Sequence, residues 1–163
     1  MLLHWFRSTR VQVLSCYRQG EQALDQEDYD LAICCFAEAV RLDRGFDAGY
    51  QGRGLAHLKK GDYRLALADF SEAIRLRPED AAGYFYRSFC YSGLGDWARE
   101  QRDYEKALDL DPDVERACVR EAGVPAGDRW VGAGEPSASR PAAGVPRAGG
   151  AESNLLSSLA LMS

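Results

Sequence analysis

The chain has 163 residues, 46% hydrophobic and 28% charged, the composition of a single ordinary globular domain. A net charge of −5 supplies no basic field to gather nucleic acid or anionic lipid. No stretch reaches the ~18 apolar residues of a membrane span. Neither nucleic acid nor membrane is expected as a partner.

Residues 1–12 form an N-terminal extension. Met1 to Phe6 is apolar but too short for a signal-peptide core, and no small-residue cleavage site comes after it. Leu2, Trp5 and Phe6 read as the tail of a second helix packing on the helices beyond residue 12, with Trp5 as a cap, or as a mobile start. The five cysteines (Cys16, Cys34, Cys35, Cys90, Cys118) are odd in number and include no C-x-x-C pair. That is not a secreted disulfide framework, and a cytoplasmic location is expected. A zinc site would need partners, and only His4 and His57 are available, so no metal or cofactor is expected.

From residue 13 the sequence repeats itself at a step of 34. Ala39, Ala73 and Ala107 keep that step, as do Phe36, Phe70 and Tyr104; Tyr29, Tyr63 and Trp97; Asp28, Asp62 and Asp96; and Leu42, Leu76 and Leu110. Gly20, Gly54 and Ser88 keep it too, with Cys16, Tyr50 and Tyr84. The repeats span 13–46, 47–80 and 81–114, and each reads as two helices. Tyr63, Ala66, Phe70, Ala73, Ile74 and Leu76 form one apolar stripe at helical spacing. Asp62 is placed to cap that helix, Gly61 to make the turn before it, and Pro78 and Pro112 to end second helices. Asp47, Asp80 and Asp113 are placed to start the next ones. Two positions depart from the pattern. Glu100 replaces the small Ala32 and Ala66, which implies looser packing of the third repeat or an outward turn of the glutamate. Arg44 stands where the second repeat has proline, which implies a less sharp exit from the first repeat.

After Pro112 a further first helix begins, Val114 to about Ala122, and then the pattern stops. Residues 123–163 are rich in Gly, Pro, Ala and Ser and are expected to be mostly disordered. The late run Asn154 to Met162 has helical spacing and reads either as a cap on the last repeat or as a dangling end.

Catalytic constellations do not emerge. His57 reads as a packed residue between Leu55 and Leu58, and no phosphate loop, G-x-S-x-G or H-E-x-x-H occurs. Asp109, Asp111 and Asp113 alternate like the start of a calcium loop. However, Val114 stands at its obligatory glycine and Arg120 at its closing glutamate. The chain is not expected to be an enzyme.

The aromatic–glycine–aromatic first helix, the Gly61-Asp62-Tyr63 turn, the Ala66–Phe70–Ala73 stripe and the terminal Pro78 resemble the tetratricopeptide repeat family over residues 13–114. The resemblance implies an all-α solenoid of three helix-turn-helix repeats (13–46, 47–80, 81–114, partial helix 115–122). Its first helices would line a concave groove that holds a peptide or helical segment of another protein. By register the groove candidates are Tyr17, Arg18, Glu21 and Asp25, then Gln51, Leu55 and Lys59, then Phe85, Tyr86 and Phe89. Tyr17 and Tyr86 read as exposed there. Phe85 and Phe89 fit the groove and the neighbouring helix equally. In relatives that clamp acidic chaperone tails, five groove positions supply cationic and amide donors. Here those positions are Tyr17, Glu21, Gly52, Ala82 and Tyr86, so such a tail is not expected as the partner. The leading expectation is a non-enzymatic adaptor; the alternative is a self-associating structural module or a piece of a longer array.

Overall fold

The computed structural model describes the backbone of residues 2–122 and the side chains of residues 9–120. Seven helices run in succession: α1 (Leu2–Asp25), α2 (Tyr29–Leu42), α3 (Asp47–Lys60), α4 (Tyr63–Leu76), α5 (Ala81–Gly93), α6 (Trp97–Leu110) and α7 (Val114–Ala122). Among the described residues there is no strand and no helix long and apolar enough to cross a membrane. The architecture is an all-α helical-repeat solenoid. The expectations for residues 123–163, including the run at Asn154–Met162, lie outside the described residues.

Successive helices pack in antiparallel pairs, and the pairs stack. Along the stack α1 meets α3, α3 meets α5 and α5 meets α7. The second helices α2, α4 and α6 make no comparable contact with one another. Closer approach on the first-helix side curves the stack toward that side.

Ring-on-glycine packing sets the spacing. Phe36 of α2 is fully buried between Gly20 of α1 and Gly52 of α3. A Cβ at Gly20 would lie 2.7 Å from the ring, and one at Gly52 2.6 Å. Only a bare backbone admits the phenyl from both sides. One repeat later Phe70 lies under Gly54, but its other side meets Tyr86, stacked at 5.5 Å between ring centroids. Two buried clusters result: one around Ala23, Ala32, Phe36 and Ala56, the other running from Leu58 and Phe70 through Phe85 to Val114 and Cys118.

Helix ends obey local chemistry. Asp28 and Asp96 cap α2 and α6, accepting from the amides of Leu31 at 3.1 Å and Arg99 at 3.2 Å. Asp80 caps α5 through the Ala82 amide at 3.1 Å. Asp62 occupies the same place before α4 but makes no side-chain cap bond; its carboxylate lies 3.6 Å from His57 Nδ1 instead. Arg44 does not blunt the exit from the first repeat. Helix α2 stops at Leu42, 34 residues before the end of α4, because extended Asp43 folds its carboxylate onto the Gly45 amide at 2.9 Å.

The N-terminal extension also differs from expectation. Residues 2–12 are not the tail of a separate helix but continue α1 without a break, since no glycine or proline interrupts them. The side chains of Leu2, Trp5 and Phe6 lie outside those described. Glu100 is half-buried, and α6 buries only Asp103 and Ala107 where α4 buries Ala66, Asp69, Phe70, Ala73 and Ile74.

The turn between paired helices needs a left-handed residue. Gly61 (φ 86°) and Gly95 (φ 76°) supply it in the second and third repeats, and Glu27 (φ 59°) holds the same place in the first. A side chain there is strained by the contact of its Cβ with the backbone. Glu27→Gly is therefore expected to stabilise the protein by about 0.5–1 kcal/mol, the relief of strain exceeding the entropy lost by a freer unfolded chain. In urea the midpoint should rise with an unchanged slope. An unchanged or lower midpoint would mean that the turn carries no strain.

Candidate functional site

The curved side of the stack is formed by the faces of α1, α3 and α5. On α1, Tyr17 is half-buried while Arg18, Glu21 and Asp25 are exposed. On α3, Gln51, Leu55 and Lys59 are half-buried, and on α5 so is Phe89. Leu55 and Phe89 pack against the larger cluster from outside, so their outward faces add apolar surface to the side that carries these charged groups.

Two of the expected groove residues are core instead. Phe85 is 1% exposed and Tyr86 6% exposed. Phe85 meets Phe89 edge-on at 4.9 Å and Tyr104 at 6.3 Å, while Tyr86 covers Phe70. The reason is geometric: the place occupied by Tyr86 is the one Gly52 fills a repeat earlier, directly against the ring of the preceding second helix. A large aromatic there is consumed by stacking and burial. Tyr17 is partly spent in the same way, edge-on to Phe46 at 5.3 Å and tilted against Phe36 at 5.5 Å. Gln51 is also engaged, donating to Asp80 at 2.6 Å. Arg18, Glu21, Asp25, Leu55, Lys59 and Phe89 remain as the groups with surface to offer.

The helices that carry these groups are oriented by two ion pairs absent from the sequence-based expectations. Arg53 donates to both carboxylate oxygens of Asp69, at 3.0 and 2.6 Å, and its guanidinium lies 5.7 Å from the Tyr50 ring centroid. Arg87 repeats the arrangement with Asp103, at 2.6 and 3.0 Å, between Tyr84 and Tyr91. The hydrogen bonds to the carboxylates hold both guanidinium groups above the usual arginine range, outweighing burial, which acts the other way. Forked, two-bond contact fixes orientation as well as distance. The signal is present in the sequence, because Arg53 and Arg87, like Asp69 and Asp103, stand 34 residues apart. The apolar columns are more numerous and mask it.

His57 is packed, its side chain 12% exposed beside buried Leu58. Among the described residues no group of three or more metal-ligating side chains converges.

Residues 48–80 match the family model described as tetratricopeptide repeat. Residues 48–80 are a tetratricopeptide repeat, set between helix pairs that keep its 34-residue step. Solved structures similar to this tetratricopeptide array are themselves such domains. The second domain of human RPAP3, in complex with the HSP70 peptide SGPTIEEVD, has a TM-score of 0.64 at 25% identity, covering 71% of this chain and 95% of that one. The Arabidopsis OM64 domain gives 0.64 at 19%, covering 71% and 98%. The TPR2B domain of yeast Sti1, in its pHsp70 complex, gives 0.62 at 19%, covering 69% and 91%. No curated protein sequence matches the chain.

Removing one half of a forked pair strands the other in a poorly solvated place. Arg87→Met should destabilise the tetratricopeptide array by about 2–3 kcal/mol, since Asp103 is 8% exposed and would lose its partner. Arg41→Met, which breaks an exposed pair with Glu38, should leave the denaturation midpoint in place. Equal effects of the two substitutions would show that burial of the Asp103 pair has no energetic weight.

Proposed function

We propose that the chain is a non-enzymatic adaptor whose curved face holds a short segment of another protein. Some of its structural relatives are seen with chaperone peptides, which supports a protein-interaction role. The observation behind the groove reading is the pair Leu55 and Phe89, half-buried apolar groups on the face that also carries exposed Arg18, Glu21 and Asp25 of α1 and half-buried Lys59 of α3. Apolar anchors with a charged rim are the usual anatomy of a peptide-binding surface. The occupant in this reading is an apolar-anchored segment with a basic residue directed to Glu21 and Asp25.

The same reading excludes an acidic chaperone tail. Five positions would have to supply its donors. Glu21 repels a carboxylate, Ala82 has nothing to give, and Tyr17 and Tyr86 are packed on phenyl rings. A side chain built at Gly52 would run into Phe36. Carboxylate recognition without charged donors forfeits the strongest available hydrogen bonds.

Self-association is the second reading, favoured by α7, which is the first half of a helix pair with no second half among the described residues. A monomeric mass by light scattering at high micromolar concentration would remove it.

The test begins with peptides selected from a random display library against the full chain. Titration calorimetry should then show Leu55→Glu and Phe89→Ser each weakening the selected peptide at least about tenfold, the cost of losing one well-placed apolar anchor. Leu65→Glu, on the turn edge, should leave binding intact. The peptide SGPTIEEVD should give no measurable heat. Binding that survives both groove substitutions would defeat the groove assignment, and micromolar binding of SGPTIEEVD would defeat the exclusion of chaperone tails.

A further inference from the structure

The three repeats do not join their helices in the same way. In the second and third, one flank of each helix pair carries an aromatic ring, a guanidinium and a carboxylate in contact: Tyr50, Arg53 and Asp69, then Tyr84, Arg87 and Asp103. At the matching places of the first repeat stand Cys16, Gln19 and Cys35. A thiol replaces the ring, an amide the guanidinium, and a second thiol the carboxylate. The ion pair is gone, and two sulfur atoms share its flank.

The two cysteines come from different helices that are locked in register. Gly20 of α1 lies on the ring of Phe36, so Cys35, the residue before that ring, and Cys16, one turn before that glycine, fall along the same side of the α1–α2 interface. Both are half-buried, within reach of small molecules but shielded from bulky ones. Burial pushes the Cys35 thiol up, and the next cause is the Cys16 thiol, ahead of Cys34, its own chain neighbour.

We propose that Cys16 and Cys35 form a thiol–disulfide modification site, in which a peroxide-class oxidant joins α1 to α2 where the later repeats use an ion pair. Hydrogen peroxide oxidises one thiolate to a sulfenic acid and is itself reduced, its other oxygen leaving as water. The second sulfur then attacks the first and forms the S–S bond. The sulfenic oxygen departs as a second water, taking up the proton that the attacking thiol gives up. Two thiols and one peroxide yield one disulfide and two waters, and a dithiol reductant reverses the change. The other cysteines are excluded on physical grounds. Cys34 is exposed and next in chain to Cys35 on the same helix, while Cys90 and Cys118 are buried in the larger cluster, away from the α1–α2 flank. Cys16 directly precedes Tyr17, so the cross-link would pin the ring that lies against Phe36 and Phe46.

The experiment uses the full chain, exposed to hydrogen peroxide, quenched, alkylated and digested for peptide mapping by mass spectrometry. The expected product is an intramolecular Cys16–Cys35 link, with a melting temperature raised by about 5 °C or more and restored by dithiothreitol. The link and the shift should vanish in Cys16→Ser and Cys35→Ser and persist in Cys34→Ser. Mapping of the unsubstituted chain decides the matter even where a serine variant fails to fold. A Cys34-mediated dimer, a Cys34–Cys35 link, or oxidation to sulfinic acid without any cross-link would each overturn the proposal.

Discussion

A phenyl ring set on a bare backbone governs this structure. Phe36 meets Gly20 on one side and Gly52 on the other, closer than any Cβ could sit, so α1, α2 and α3 are spaced by the thickness of one ring. Everything above that contact inherits its geometry. Ala32 and Ala39 flank the ring on its own helix and are fully buried, which keeps the helix from standing off. The same design recurs at Phe70, where Gly54 receives one face of the ring. A methyl group at Gly52 would force Phe36 to move in a space with no room to receive it, and close-packed interiors give way reluctantly.

The two junctions nevertheless differ, and the difference sets what each repeat can display. Gly52 leaves the groove side of the first junction thin. Tyr86, in the equivalent place, thickens the second by stacking on Phe70 and linking it to Phe85. The larger core thus begins at α3 and runs to α7, whereas the first repeat rests on a smaller cluster. The forked ion pairs obey the same division: Arg53–Asp69 and Arg87–Asp103 orient the second and third helix pairs, and the first has none at those positions. Half-buried ion pairs add little net stability, because desolvation offsets attraction, but breaking one is costly and their geometry is demanding. They are better understood as setting the angle between paired helices than as a source of cohesion.

Most of the fold was legible in the sequence, because a repeat states its register several times over. The columns of Ala39, Phe36 and Tyr29 with their partners each locate the same helix pair, and local exceptions such as Arg44 cannot shift it. What escaped were features that depend on a side chain's neighbour in space. Asp62 has the right place to be a cap, yet its carboxylate turns to His57, a residue the other repeats lack there. The continuation of α1 to Leu2 falls outside the repeat and so had no column to announce it. In the groove, position alone suggested exposure for Tyr86. Its burial comes from contact with Phe70 of the preceding repeat, which no single-helix stripe reveals. The reverse holds for Arg53 and Asp69: their spacing was readable, but charged residues at helical spacing more often mark a solvated face.

The fate of Tyr86 bears on what the curved face can recognise. A position that faces the groove from the first half of α3 or α5 also faces the ring of the preceding second helix. A large residue there is spent on stacking, as at Tyr86, and a small one, as at Gly52 or Ala82, brings no polar group. In the proposed groove, polar recognition would fall to the C-terminal halves of the first helices, where Glu21 and Asp25 are exposed and Lys59 is half-buried. Exposed charges beside an apolar surface would orient a ligand more than hold it, since exposed ion pairs are screened within about 8 Å at physiological salt. In such a groove Leu55 and Phe89 would set the affinity, and the acidic pair on α1 would set the direction in which the segment lies.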